Sequence, residues 1–571
     1  MFRFSLARWV LLLGALVAAG CEVPDRQGAA PAVPDRQSAD LIFTNAAVYT
    51  MNPDQPRAEA VAIGGGQILA VGSSADISAA YEGPVRDLGG QMLLPGFHDA
   101  HAHPIGGGLQ LMGCDLSGIR EQAVLLDAIR ACAAADPDGE WLIGEGWELS
   151  AFPPEGNPTR DLLDAIDADR PVLMRAADGH SSWVNSAALR RAGISADTPD
   201  PRNGVIERDG DGAPSGTLRE SAQGLVEAVV PPLTHAQRLE GARTALRHAN
   251  SFGITSIIDA SVGPEELAVW HDLEASGELS ARIVASIRVR GMADNVNPDL
   301  IDPGSRGSGA LVRADSAKLF LDGVLEGETA ALLEPYIGRG GASGTLNVPW
   351  DDLVATVTAL DAQGVQIHMH AIGDAAVRQG LDALEAARQV NGPNDNRHHI
   401  CHLQLVDPAD YARFGELGVR ANFQAVWAYP DAYITDVNLP VVGQERVDRM
   451  YPIGSIARAG GIIVGGSDWS VSSMNPLDAI EVGVTRRDPD GIVDGVLNAD
   501  EAVPLDTMLA AYTRNAAELM HQEDQTGTIE PGKAADLVVL ARDLYALPAT
   551  EISEVPVTLT LFQGRIVYDA D

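Results

Sequence analysis

The chain has 571 residues, with 40 lysines and arginines against 79 aspartates and glutamates, a formal net charge of −39. So large an acidic excess repels phosphate backbones and anionic membrane surfaces, which excludes nucleic-acid binding and leaves only a covalent or hydrophobic route to a membrane. Hydrophobic residues at 46% and charged residues at 21% are ordinary globular usage, and 59 glycines with 34 prolines read as a loop-rich enzyme scaffold rather than a fibre.

The chain opens with two positive charges, Arg3 and Arg8, followed by the apolar run WVLLLGALVAAG at 9–20 and then Cys21. Twelve residues are too few to span a bilayer, which takes about 20. A charged start, a short apolar stretch and small residues at its end read as a secretory signal peptide over 1–21. Its close, AAGC at 18–21, resembles a bacterial lipobox, although Ala18 stands where leucine is common. The expectation is an exported, periplasmic or outer-membrane-associated bacterial lipoprotein, held to the membrane only through lipid on Cys21. Residues 22–39 carry VPDRQ twice, at 23–27 and 33–37, among Gly, Ala and Ser, and read as a flexible tether.

From Asp40 the apolar residues alternate in short runs, as they do again near the C-terminus. Residues 40–93 and 520–571 therefore read as one small β-sandwich built from both termini. Between them, 94–519 alternate apolar runs with amphipathic stretches, an α/β pattern that fits a (β/α)8 TIM-type barrel. The Gly/Pro/Asp-rich stretch at about 140–225 reads as an inserted lid region over the barrel mouth. The four cysteines, Cys21, Cys114, Cys132 and Cys401, are widely spaced and form no CxxC, so neither a disulfide framework nor a zinc finger is expected.

The chemistry collects at the ends of the apolar runs. In LLPGFHDAHAHP at 93–104, positions 101 and 103 fall on one face of a strand that runs into a loop, which makes His101 and His103 half of a divalent metal site. His370 ends VQIHMH, His402 ends RHHICH, Asp468 closes IIVGGSD, and Lys318 interrupts the apolar run AKLFLDG. Active sites of such barrels sit at the C-terminal ends of their strands. A lysine within an apolar strand needs a reason, because burying its charge is costly.

This ordered set resembles the amidohydrolase superfamily, specifically its YtcJ-like branch, which includes N-substituted formamide deformylases. The resemblance rests on PGFHDAHAHP at 95–104, DGHSSWVNSAAL at 178–189, KLFLDG at 318–323, HAIGDAAV at 370–377, RHHICHLQLV at 397–406, GSDWSV at 466–471, TRNAAELM at 513–520 and GTIEPGKAADLVVL at 527–540. It implies a metal-dependent hydrolase in which His101, His103 and Asp468 bind one ion and His370 and His402 a second. Lys318, carboxylated on its side-chain nitrogen, would bridge the two; as a plain lysine it would bind substrate in a one-metal site. The implied cofactor is one or two divalent ions per chain, with Zn2+ the expectation and Mn2+ or Fe2+ also suited to these ligands. Metal-bound hydroxide would attack a carbonyl carbon, and Asp468 would pass the proton to the leaving nitrogen. A small-molecule substrate and a homo-oligomer are implied as partners.

Other histidines divide by place. His180, in the insertion, is a candidate substrate contact, and His368 a rim or supporting residue. His398 and His399 read as surface or supporting groups, and His235, His248, His271 and His521 as structural. This sequence departs from the family at His98, at Cys401, where many relatives carry Glu, and at Glu326 and Glu328. If those glutamates face the pocket, they disfavour anionic substrates, and Glu328 is the candidate contact. The leading function is hydrolysis of an amide or related C–N bond in an N-acyl or N-formyl compound. The alternatives are deaminase, lactonase, phosphotriesterase or other hydrolytic chemistry on the same metal site, or a binding lipoprotein that has lost catalysis.

Overall fold

The computed structural model describes residues 36–153, 156–289, 300–306 and 308–570. The expected signal peptide, Cys21 and most of the tether therefore lie outside the described residues. The tether's last part is already ordered: Gln37–Ser38 pairs in parallel with Tyr81–Glu82.

Eight parallel strands follow one another in a single sheet, in chain order. They are β1 (Phe97–Ala102), β2 (Ile254–Val262), β3 (Arg282–Arg288), β4 (Val312–Phe320), β5 (Gln366–Ala371), β6 (His399–His402), β7 (Arg420–Phe423) and β8 (Ile463–Gly465). Parallel neighbours need crossovers, and helices such as Pro264–Ser276, Trp350–Ala362 and Asp374–Asn391 supply them. The sheet is nearly closed. Just past the strand ends, Asp468 N donates to His101 O at 2.7 Å and His103 N to Trp469 O at 2.6 Å. Nearly every barrel-strand residue is buried, which is why these strands are short apolar runs rather than alternating ones. Their polar residues are buried too, and the register sets them side by side: Lys318 pairs with His368, Phe320 with His370, and His370 with Cys401.

A second sheet is inserted between β1 and β2. Its order is Cys114–Asp115, Leu142–Trp147, Val172–Ala176, Ser181–Val184, Pro214–Glu220, Gly204–Arg208. It thus begins well before residue 140, the expected start of the insertion. It has its own apolar cluster, in which Phe152 meets Trp183 and Trp147 edge-on at 5.2 and 5.8 Å. Cys114 and Cys132 form a disulfide that ties its first strand to the helix Gln122–Ala135, with Cα atoms 5.6 Å apart. The spacing of the cysteines had given no sign of this bond.

The two ends of the chain meet in a six-stranded sheet, where Met92–Pro95 pairs with Leu537–Leu540. A four-stranded sheet from the N-terminal segment faces the same apolar cluster. Phe43, Val61 and Ile63 contribute from one sheet, and Val48, Leu93, Leu537 and Leu561 from the other. Each such side chain removed from water contributes roughly 1.5–3 kcal/mol, so this cluster fastens the termini to each other.

Candidate metal centre

The centre is assembled where β1 and β8 end. His101 is the fifth residue of β1; His103 follows as the N-cap of the helix Pro104–Met112. β8 passes close by on a glycine: a Cβ at Gly466 would stand 2.7 Å from that of His101. Three residues here hold left-handed backbone, Asp468 (φ 54°), His402 (φ 77°) and Leu403 (φ 53°). Non-glycine residues adopt it at a cost and are kept there only where the surroundings fix them, as at functional sites.

Nε2 of His101 and Nε2 of His103 each lie 3.1 Å from Asp468 Oδ1. That carboxylate oxygen is buried, yet has no hydrogen-bond partner among the described residues. Three lone pairs converging without hydrogen-bond geometry suit a divalent ion, because ligands at about 2.1 Å from one ion stand about 3.0–3.4 Å apart. The other nitrogens are already committed. His101 Nδ1 lies 2.9 Å from His368 Nε2, and His402 Nδ1 lies 2.8 Å from Gln424 Oε1. His370 Nε2 donates to the Gly323 carbonyl at 3.1 Å. Each of these three rings thus has one nitrogen held by a neighbour that fixes its orientation, the arrangement by which metal-ligating histidines are held. Lys318 is fully buried, with Nζ 3.4 Å from His101 Nε2 and 3.6 Å from Cys401 Sγ.

The electrostatics agree with open ligand positions. Burial lowers His101 to about 3 and holds His368, His370, His399 and His402 far below the usual histidine value, so all five rings are neutral. Burial would raise Asp468, but the His101 and His103 imidazoles outweigh it and keep the carboxyl ionised. Burial also lowers Lys318, which favours the free amine, and pushes the Cys401 thiol up to about 12.

The barrel brings His101, His103, Lys318, His402 and Asp468 together. His370 joins them through its ring, 4.5 Å from that of His402. His368 lies beneath, bonded to His101 and 3.2 Å from Ser286 Oγ, and His399 stacks on it at 4.0 Å. His180 arrives from the second sheet with its ring 5.5 Å from that of His370. Its Nδ1 is 2.9 Å from Glu220 Oε2, and Thr329 donates to the other Glu220 oxygen at 2.6 Å. Burial would lower His180, but the Glu220 charge overcomes it and raises the imidazole to about 9. This carboxylate sits over Gly323, where a Cβ would come within 2.6 Å of Glu220 Oε1. Glu328 stays out of the centre and pairs with Arg339. The reading of an acidic edge therefore passes from Glu328 to Glu326, which accepts a hydrogen bond from Asn438 at 2.8 Å.

Some supporting residues escaped the sequence reading. Asp99 takes hydrogen bonds from Ser467 N, Ser467 Oγ and His101 N, and so ties β1 to the loop after β8. Asp322 takes them from Ala331, Ile372 and Gly373. Both lie inside the quoted motifs, where a buried acid flanked by ligands was a readable signal. Gln424 and Glu220 lie in no motif, and only the fold reveals them.

A family model described as "Amidohydrolase family" matches residues 84–568. The "Putative amidohydrolase YtcJ" of Bacillus subtilis (strain 168) is 29% identical over 530 residues, covering 91% of this chain and 98% of that protein. The "N-substituted formamide deformylase" of Arthrobacter pascens is 28% identical over 550 residues, covering 93% and 99%. Among solved structures, an uncharacterized metal-dependent hydrolase from Pyrococcus horikoshii OT3 superposes with a TM-score of 0.70 at 25% identity. That match covers 89% of this chain and 99% of the other.

Proposed function

The chain belongs to the amidohydrolase family, in its YtcJ-like branch, and from that premise we propose that it hydrolyses an amide or related C–N bond in a small N-acyl or N-formyl compound. The observation that carries this reading is the convergence of His101 Nε2 and His103 Nε2 on the unpartnered Asp468 Oδ1, at 3.1 Å each. These three residues would hold one divalent ion, with His370 and His402 toward a second and carboxylated Lys318 between them. Zn2+ suits this nitrogen and oxygen set. A divalent ion bound there polarises a carbonyl and lowers the pKa of water to about 7.

The chain's own residues do the rest. Asp468, kept ionised at neutral pH by its imidazoles, accepts the proton of the attacking water and delivers it to the leaving nitrogen. His368, Gln424 and Gly323 hold His101, His402 and His370 in register. His180, steered by Glu220, offers an N–H to the substrate on the His370 side. The second sheet serves as the lid that carries it, and the two terminal sheets form the composite β-sandwich.

The same reading extends to export. Residues 1–21 serve as a signal peptide, Cys21 as the lipidated anchor. The Cys114–Cys132 disulfide supports an oxidising compartment outside the cytoplasm.

Elemental mass spectrometry of the protein lacking residues 1–21, beside a Lys318→Ala variant, tests the centre. About two ions per chain, falling in the variant, is the expected result. One ion in both removes Lys318 from the ligand set. No retained metal after resupply overturns the hydrolase mechanism. A panel of N-formyl and N-acetyl amines then tests the bond cleaved.

A further inference from the structure

Cys401 is the one free cysteine among the described residues, and it is wholly buried. β6 explains how it reaches the metal centre. Parallel register sets Cys401 level with His370 on β5 and Asn422 on β7, and level residues of a sheet share a face. Cys401 therefore points into the barrel with His370. His402, the next residue, would point the other way in a regular strand. Its left-handed backbone, φ 77°, breaks that alternation. As a result, one ligand atom from each of His101, Cys401 and His402 lies within 4.8 Å of the other two. Around one tetrahedral ion, sulfur and nitrogen stand roughly 3.6 Å apart. The three atoms can thus close on an ion by side-chain movements of about an ångström or less.

The lone pairs are aimed accordingly. Lys318 Nζ donates to Cys401 Sγ at 3.6 Å and to His101 Nε2 at 3.4 Å, so sulfur and nitrogen already face one common positive group. The thiol proton goes elsewhere, to the Met369 carbonyl at 3.1 Å. A second observation is independent of the cysteine. Asp468 Oδ1 is buried, lacks a hydrogen-bond partner among the described residues, and lies 3.1 Å from the same His101 Nε2. His101 Nδ1 is taken by His368, so Nε2 is the atom that joins the two groups. Charge favours a further anion here. Ligating imidazoles are neutral, and Asp468 with a carboxylated Lys318 would leave two divalent ions with an excess of positive charge in a buried place. A thiolate reduces that excess, and a bound cation is what ionises a buried thiol.

From this convergence we infer that Cys401 Sγ is a thiolate ligand of the metal centre, on the ion held by His402, and that the sulfur gives the site to Zn2+ over Mn2+. The inference rests on the metal-dependent reading of the centre and deepens it, adding a ligand outside the histidine, aspartate and lysine set. Coordination replaces the Sγ–H bond with a sulfur–metal bond, and the proton leaves to solvent. Thiolate is a soft donor that suits zinc, whereas Mn2+ favours carboxylate, carbonyl and water. A cysteine that merely filled space would be indifferent to which ion is bound.

X-ray absorption at the zinc edge tests this on zinc-loaded protein lacking residues 1–21. The described structure begins at Arg36, so the truncation removes none of it. With Cys21 gone and Cys114 bonded to Cys132, Cys401 is the one thiol left. The expected result is a sulfur shell at about 2.3 Å beside nitrogen and oxygen at about 2.0–2.1 Å, lost in Cys401→Ser. Competition with a chelator should show Cys401→Ser lowering the ratio of Zn2+ to Mn2+ affinity about tenfold or more. Should that variant fold poorly, the cobalt-loaded parent gives a separate readout, a sulfur-to-metal charge-transfer band in the near ultraviolet. Bound zinc with only nitrogen and oxygen neighbours overturns the inference and leaves the metal-dependent hydrolase standing, as does a sulfur shell that survives in Cys401→Ser. A Cys401 sulfur shell without hydrolysis of any amide keeps the ligand and overturns the amide reading. Failure to retain any ion overturns both.

Discussion

The two ends of the barrel both bury polar groups, and they do so to opposite effect. At the N-terminal end Arg282 meets Asp536 at 3.0 Å and Gln525 at 3.3 Å, while Gln563 N donates to the other Asp536 oxygen at 2.7 Å. Arg282 and Asp536 are thus paired, and the pair fastens the barrel to the terminal sheets. At the C-terminal end Asp468 Oδ1 has no hydrogen-bond partner among the described residues, and Nε2 of His101 and Nε2 of His103 converge on it. His98 sharpens the contrast. It shares β1 with His101 and is equally buried, with burial lowering both to about 3, yet it belongs to no group of converging ligand atoms among the described residues. Burial and a shifted acidity are therefore common to both ends, and open, converging lone pairs mark the site.

That comparison can be broken most sharply at Asp468. Asp468→Asn keeps the shape and removes the charge; hydrolysis should fall about 10²–10⁴-fold, and metal content should fall with it, in a protein whose circular dichroism is unchanged. Equal metal content and activity would leave the open oxygen without meaning. Arg282→Ala probes the other end. It strands a buried carboxylate and should cost about 3–5 kcal/mol in urea unfolding, while kcat of the folded enzyme holds. His368→Ala should weaken metal binding about 10–100-fold, with partial recovery in His368→Gln, measured by competition with a chelator. The His180–Glu220 pair gives the smallest effect, and its sign follows from the shifts. His180 is raised from 6.5 to about 9, so its contribution is full below pH 6.5 and is lost as pH rises through about 9. Glu220, lowered below its usual 4.5, sets the acid limb. Glu220→Gln should flatten that alkaline fall in a plot of stability against pH, and an unchanged slope would show that the pair does not bear on folding.

Much of the centre was legible before any fold was known. His101, His103, His370, His402 and Asp468 each sit at the end of a short apolar run, and Lys318 interrupts one. A parallel strand buried on both faces reads as a near-continuous apolar run, so a polar residue at its end stands out. The two β-rich ends and the strand–helix alternation between them were legible for the same local reason. The acidic edge was half legible: Glu326 and Glu328 stand two residues apart, and nothing in their spacing says that Arg339 will take one of them.

The sequence by itself determined which residues are candidates for the chemistry and on what kind of element each lies, because periodicity and strand-end placement are properties of neighbours along the chain. Only the tertiary structure decided what those residues meet. It brought Glu220 to His180, Gln424 to His402, Asn438 to Glu326 and Cys132 to Cys114. Such partners come from separate turns, strands and loops, and their meeting is set by how the barrel nearly closes and where the inserted sheet folds over it, which no short window of sequence encodes.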